Sequence, residues 1–182
     1  ELGEPAVHVQ ELLLFSERQY ADRVEWNAGN VSEYHDVPEP LDEQAKIAWT
    51  PVWSLSHGRV RYLPKAYCYY GYRDPGRFFT RCDSNGNAAG SSREEAILYG
   101  LLELVERDAV ALWWYNRCRR PALGADGFDL AYWAEMRRYY ASELDRELHA
   151  LDLTSDLGIP VIAVVSRRRR RAVEDVILGF AA

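Results

Sequence analysis

From Ser91 to about Asn116 the sequence SSREEAILYGLLELVERDAVALWWYN contains no proline, and its apolar residues recur at helical spacing. An α-helix of about seven turns is expected here. On a helical wheel with Glu95 at zero, Ile97, Leu98, Leu101, Leu102, Leu104, Val105, Ala109 and Leu112 occupy about 180° to 340°. A stripe that broad is expected to face the core. Glu106, Tyr99 and Glu103 fall near about 20°, 40° and 80°, so Glu95, Glu103 and Glu106 share one face. Glu94, at about 260°, is accounted for as the N3 partner of Ser91 in a capping box. Asp108, at about 220°, also lies on the apolar side, where a buried structural hydrogen bond or ion pair is expected of it.

The glutamate row has two readings. At about 1.5 Å per residue, Glu95 and Glu103 stand about 12 Å apart along the axis, so one ion cannot touch all three carboxylates. A polyphosphate carrying more than one Mg²⁺ can span them, because hard cations take carboxylate and phosphate oxygens together. Equally, glutamates on a solvated face are common, and Glu103 can pair with Arg107 at i, i+4. Spacing alone favours the inert face. Ahead of the helix, DSNGNAAGSS (Asp83 to Ser92) is a small-residue loop leading into a helix N-terminus, a setting that favours an anion. It lacks the Lys-Ser/Thr ending of GxxxxGK[ST] and the GxGxxG spacing. On its own it is an Asn-Gly turn; beside the acidic helix it is the second half of a candidate site.

The other elements imply an α+β fold, helices against a mostly antiparallel sheet. Leu12 to Phe15 form an apolar cluster, and residues 27–46 read as a loop. WTPVWSLSHGRVRYLPKAYCYYGY reads as a hairpin about His57-Gly58 followed by an extended segment. A second amphipathic helix is expected from Phe128 to about Glu147, and strands over residues 148–153, 161–165 and 175–180, the last two antiparallel. The arginines 167 to 171 then fall in a turn, read as a solvated hairpin tip beside Glu174 and Asp175 rather than a phosphate or RNA patch. With 182 residues, 48% of them apolar, one domain is expected.

Net charge −6 argues against a nucleic-acid partner. Cys68, Cys82 and Cys118 form no CxxC pair, and His8, His35, His57 and His149 have no zinc-ligand spacing. The cysteines are expected to be reduced. No apolar run approaches the roughly 18 residues of a membrane span and no signal segment is present, so a cytoplasmic chain without a membrane partner is expected. The start at Glu1 and the end just after Val176-Ile177-Leu178 suggest a piece of a longer protein.

SNGNAAGSSREEAILYGLLELVERDAVALWWYNR strongly resembles the YcaO family, in its branch of azole-forming peptide cyclodehydratases. Weaker likeness extends through FSERQY, VPEPLDEQ, WTPVWSL, DPGRFF, LDLTSDLGIPV and EDVILGF. The resemblance implies an ATP-binding α+β domain, of which residues 1–182 are a part. It implies Glu95, Glu103 and Glu106 as ligands of Mg²⁺, with Ser91, Glu95 and Arg107 binding nucleotide. The implied reaction is ATP-dependent cyclodehydration of Cys, Ser or Thr in a ribosomally made precursor peptide. None of the cysteines is required for it. The implied partners are that peptide and a protein that binds its leader, and a homodimer is compatible. Thioamidation, macroamidine formation and a non-catalytic docking role are the alternatives. The family's earlier Ser-x-x-x-Glu-x-x-Glu-Arg motif and later nucleotide-contacting residues are not in this stretch, so the isolated chain is expected to bind ATP weakly or not at all.

Overall fold

The computed structural model describes residues 15–42, 44–73, 75–76, 78–124, 131–169 and 175–182. Leu12 to Leu14, Phe128, Arg170, Arg171 and Glu174 therefore lie outside the described residues. The fold is α+β, with two antiparallel sheets, and the chain divides into two compact units, Glu1–Asp83 and Ser84–Ala182.

In the first unit, α1 (Glu17–Ala21) starts at Ser16, where Ser16 and Gln19 form a capping box. It is followed by α2 (Arg23–Ala28) and a 3₁₀ turn (Glu33–His35). The loop leaving α2 is held by Asn27, whose amide donates to the Val37 carbonyl at 3.0 Å and accepts from the Val37 N–H at 2.9 Å. The expected hairpin is present as β1 (Trp49–Ser54) and β2 (Arg59–Pro64). Gly58 takes the left-handed conformation at φ 60°, and its N–H donates to the Ser54 carbonyl at 2.9 Å. His57 is a turn residue, its Nδ1 2.9 Å from the Ser54 hydroxyl. Where an extended continuation is expected, the short helix α3 (Lys65–Cys68) follows directly on Pro64, which occupies its N-cap position.

The second unit opens with the loop 84–92 and the long helix α4 (Arg93–Tyr115). α4 ends in a Schellman motif: the Arg117 and Cys118 N–H groups donate to the Trp114 and Trp113 carbonyls at 3.3 and 3.1 Å, with Arg117 left-handed at φ 51°. α5 (Ala131–Glu143) stops short of the expected Glu147 because Asp145 adopts φ 52°, which a helix cannot accommodate. The chain then enters β3 (Arg146–Asp152), β4 (Ile162–Arg168) and β5 (Val176–Ala181), in the order β3-β4-β5 with both pairings antiparallel. Arg167 and Arg168 thus belong to a strand, correcting their placement in a turn. Asp175 pairs with Arg168 and with the buried Arg146, while Arg169 pairs with Glu147 at 3.2 Å. The core of this unit joins Val105 and Ala109 of α4 to Leu153, Val161 and Ala163, with Trp113 and Phe180 packed against it.

That packing buries only part of the expected apolar stripe of α4, its Val105 and Ala109 edge. Ile97, Leu101, Leu104 and Leu112 are 41–51% exposed, whereas Gly100, Val105 and Ala109 are the buried positions. Apolar residues extend most of the way round this helix, so its own pattern does not choose a side; the side is set by the sheet, through Phe180 and Val161. Asp108 lies on the open side and is exposed, which corrects its expected burial.

Candidate functional site: the glycine loop and the acidic row of α4

The loop 84–92 reaches α4 through close backbone approaches that only glycine allows. A Cβ on Gly100 would stand 2.6 Å from the Gly86 carbonyl oxygen, and one on Gly90 would stand 2.6 Å from the Ala96 nitrogen. Gly86 itself is left-handed at φ 77°, in a turn closed by the Asn87 N–H donating to the Ser84 carbonyl at 3.1 Å. The turn aims the Gly86 N–H at the helix. It donates to Glu103 Oε2 at 2.7 Å, while Arg107 reaches Glu103 Oε1 at 3.4 Å. Glu103 is thus held on both carboxylate oxygens, by a loop amide and by a guanidinium one turn along.

At the helix start the N-cap is Ser92, whose hydroxyl accepts from the Glu95 N–H at 3.2 Å. The expected box of Ser91 and Glu94 is therefore displaced by one residue. The N3 residue is Glu95, and its carboxylate reaches back to Ser91, accepting from the N–H at 2.6 Å and from the hydroxyl at 2.5 Å. The Tyr99 hydroxyl donates to the other oxygen at 2.9 Å. Hydrogen bonds to the ionised form hold the Glu95 carboxyl below its usual value, the Ser91 hydroxyl being the largest contributor. Glu94 instead faces outward, paired with Arg93 at 2.8 Å, and that guanidinium lowers its carboxyl too.

Of the three row glutamates, Glu106 has no hydrogen-bond or ion-pair partner among the described residues, and it is half-buried. The structure brings Ser91 to Glu95 and Arg107 to Glu103, but it does not gather all the carboxylates about one point. Among the described residues no three acidic, histidine or cysteine side chains could hold one metal ion. The donor set nevertheless suits hard cations: carboxylate oxygens, with two of the three side chains oriented by other groups. Ser92, Tyr99 and Gly86 are contributors that the sequence reading did not assign. Tyr99 was signalled by its i, i+4 spacing from Glu95, whereas Gly86, 17 residues before Glu103, had no local signal.

The site is thus a left-handed glycine turn presenting an amide to an oriented acidic helix, within an α+β unit. The chain belongs to the YcaO family: the model for YcaO cyclodehydratases, described as ATP- and Mg²⁺-binding, matches residues 1–182. A heterocyclase solved in complex with substrate and cofactor is 50% identical, with a TM-score of 0.90 over 98% of this chain and 24% of its own. The heterocyclase TruD is 47% identical, also at 0.90, over 98% of this chain and 26% of its own. YcaO from Methanopyrus kandleri, bound with AMPPCP and Mg²⁺, shares the fold at 24% identity and TM-score 0.53 over 87% of this chain and 44% of its own. Among curated proteins, an uncharacterized protein of Methanothermobacter thermautotrophicus is 28% identical over 133 residues, 71% of this chain. An uncharacterized protein from the tfuA 3′ region of Rhizobium leguminosarum bv. trifolii is 36% identical over 98 residues, 52% of this chain. The chain spans 34% and 22% of the length of these two relatives.

Proposed function

We propose that this chain is part of an ATP-dependent cyclodehydratase that converts Cys, Ser or Thr residues of a ribosomally made precursor peptide to azolines. The observation that carries this reading is the likeness of nearly the whole chain to two heterocyclases, at 47–50% identity. The orientation of the acidic row supports it. In the reaction, the side-chain sulfur or oxygen of the substrate residue attacks the preceding backbone carbonyl carbon. The former carbonyl oxygen takes the terminal phosphoryl group of ATP, leaving ADP, and departs as phosphate; one proton leaves the attacking thiol or hydroxyl and one the amide nitrogen, so the peptide loses the elements of water. Bound ATP with Mg²⁺ supplies the electrophilic phosphorus and the charge neutralisation that this leaving group requires.

This chain's residues serve that chemistry by fixing charge in advance. Glu103, clamped between the Gly86 amide and Arg107, and Glu95, clamped by Ser91 and Tyr99, are the oriented cation ligands; Glu106 is the third. In this reading Arg107, paired with Glu103, is the residue that would bring positive charge to the phosphates, and Ser91, bonded to Glu95 at the helix start, the one that would meet the nucleotide. A leader-binding partner protein and a cytoplasmic location complete the proposal. Among the described residues no helix is long and apolar enough to cross a membrane.

The test measures ATP consumption and peptide mass with the full-length enzyme. Glu103→Gln and Glu106→Gln are each expected to lower turnover by at least about tenfold, which corresponds to about 1.4 kcal/mol of transition-state stabilisation. Each ring formed by the wild type should remove about 18 Da from the peptide. Two folded variants with unchanged turnover would sink the site, and unaltered peptide mass would sink the reaction.

A further inference from the structure

α5 packs on β3, and between them runs a groove of about 450 Å³, within the size range of small-molecule sites. Its wall on α5 is Ala134, Arg137, Arg138 and Ala141, whose i, i+3, i+4, i+7 spacing puts all four on one face of the helix. Both arginines are exposed, and neither has an ion-pair partner among the described residues. The alanines, one turn before them and one turn after, are too short to cover their guanidinium groups.

The remaining charges of the groove are already matched. Arg146 is balanced by Asp175 at 3.1 Å. Glu147, the only carboxylate among the described lining residues, is engaged on both oxygens, by Arg169 at 3.2 Å and by the His149 ring at 3.6 Å. An anion entering the groove therefore meets two uncompensated guanidinium groups and no free carboxylate. Such a basic spot stands out in a chain whose net charge is −6. Leu148, buried on β3, and the two alanines give the groove an apolar side.

We propose that this groove binds a small phosphate monoester, at a site that shares no residue with the acidic row. A phosphate monoester at pH 7 carries about −1.5 to −2 charge and three acceptor oxygens, which suits the forks of Arg137 and Arg138. A carboxylate brings a single charge and two oxygens. Because the opposing charge comes from side chains, no Mg²⁺ is needed here, whereas the acidic row takes phosphate only through a cation. The groove is larger than a bare phosphate, and Ala134, Ala141 and Leu148 offer the organic part of the ester an apolar surface. RNA is a poorer match, because its affinity depends on neutralising a run of phosphates and only two guanidinium groups are free.

The test titrates phenyl phosphate into the full-length protein by calorimetry, with EDTA and without nucleotide, so that the acidic row holds no cation. Amide exchange at saturating ligand locates the site. Binding is expected to saturate, to slow exchange within residues 131–149, and to be at least tenfold tighter than that of benzoate. Arg137→Gln combined with Arg138→Gln should weaken it at least tenfold with an unchanged circular dichroism spectrum. Arg93→Gln, which removes a charge elsewhere in the unit, should leave it unaltered. The absence of saturable binding overturns the proposal, as does equal binding of benzoate or undiminished binding by the double variant. Slowing confined to residues 84–107 would put the ligand at the acidic row and overturns it too. Equal affinity for inorganic phosphate overturns the assignment to an ester, and tighter binding of an oligouridylate overturns it in favour of RNA.

Discussion

Two charged regions of the second unit are built in opposite ways. In the acidic row, Glu95 and Glu103 are tied down by backbone amides, hydroxyls and a guanidinium. In the basic groove, Arg146 is tied to the Ser166 hydroxyl, the Ser166 carbonyl and Asp175, while Arg137 and Arg138 extend from α5 without an ion pair among the described residues. An oriented charge suits a ligand of fixed geometry, because no reorganisation is needed when it binds. Unpaired arginine forks keep their charge and donors for an arriving anion. Oriented charge and unpaired charge thus occur within one unit, and four substitutions break or sharpen the difference.

The largest effect is expected in the floor of the groove. Arg146 is 5% exposed, and Asp175 supplies the carboxylate that balances it at 3.1 Å. Asp175→Ala leaves a buried guanidinium with only neutral acceptors from Ser166 and the residue 175 carbonyl. Removing one partner of a fully buried pair costs about 3–5 kcal/mol, and partial exposure of Asp175 reduces this to about 2 kcal/mol. Denaturant unfolding measures it; a loss under about 0.5 kcal/mol would place Arg146 with the loosely held arginines.

A smaller effect is expected where the loop meets α4. Alanine in place of glycine inside a helix gains about 1 kcal/mol from propensity, but at Gly100 its Cβ would meet the Gly86 carbonyl oxygen at 2.6 Å. Overpacking against backbone costs about 1–3 kcal/mol, so Gly100→Ala should destabilise by about 1 kcal/mol net. The sign is the test: stabilisation would mean that the loop is not seated on the helix, and that Glu103 is no more oriented than Arg137.

How much of this was legible in sequence follows from the range of each interaction. The α+β class, the long helix, the hairpin and the strands β3, β4 and β5 were readable because periodicity is local. The capping box of α1, Ser16 and Gln19, is equally local, since its two residues stand three apart. The end of α5 was not readable, since it depends on a left-handed aspartate that composition does not mark. The acidic row was found by its wheel positions. Two adjacent serines, Ser91 and Ser92, offer two capping registers, and the one the helix adopts, at Ser92, exchanges the roles expected of Glu94 and Glu95. The clamp on Glu103 joins residues 17 apart through glycine contacts, and such long-range contacts leave no trace in a helical wheel.

The smallest effect isolates a single hydrogen bond of the row. The Glu95 carboxyl is held below its usual value, first by the Ser91 hydroxyl, then by the Ser91 amide and the Tyr99 hydroxyl. A depressed carboxyl favours the folded state above the group's unfolded value, and that contribution is lost as pH falls through the folded one. Ser91→Ala removes the hydroxyl and keeps the amide, so the Glu95 titration followed by NMR should move upward, towards but not reaching the ordinary carboxylate range. Tyr99→Phe should move it in the same direction by less. Equal shifts would make the tyrosine as much an anchor as the serine, and no shift in either variant would leave Glu95 as freely placed as the arginines of the groove, removing the contrast between the two regions at its acidic end.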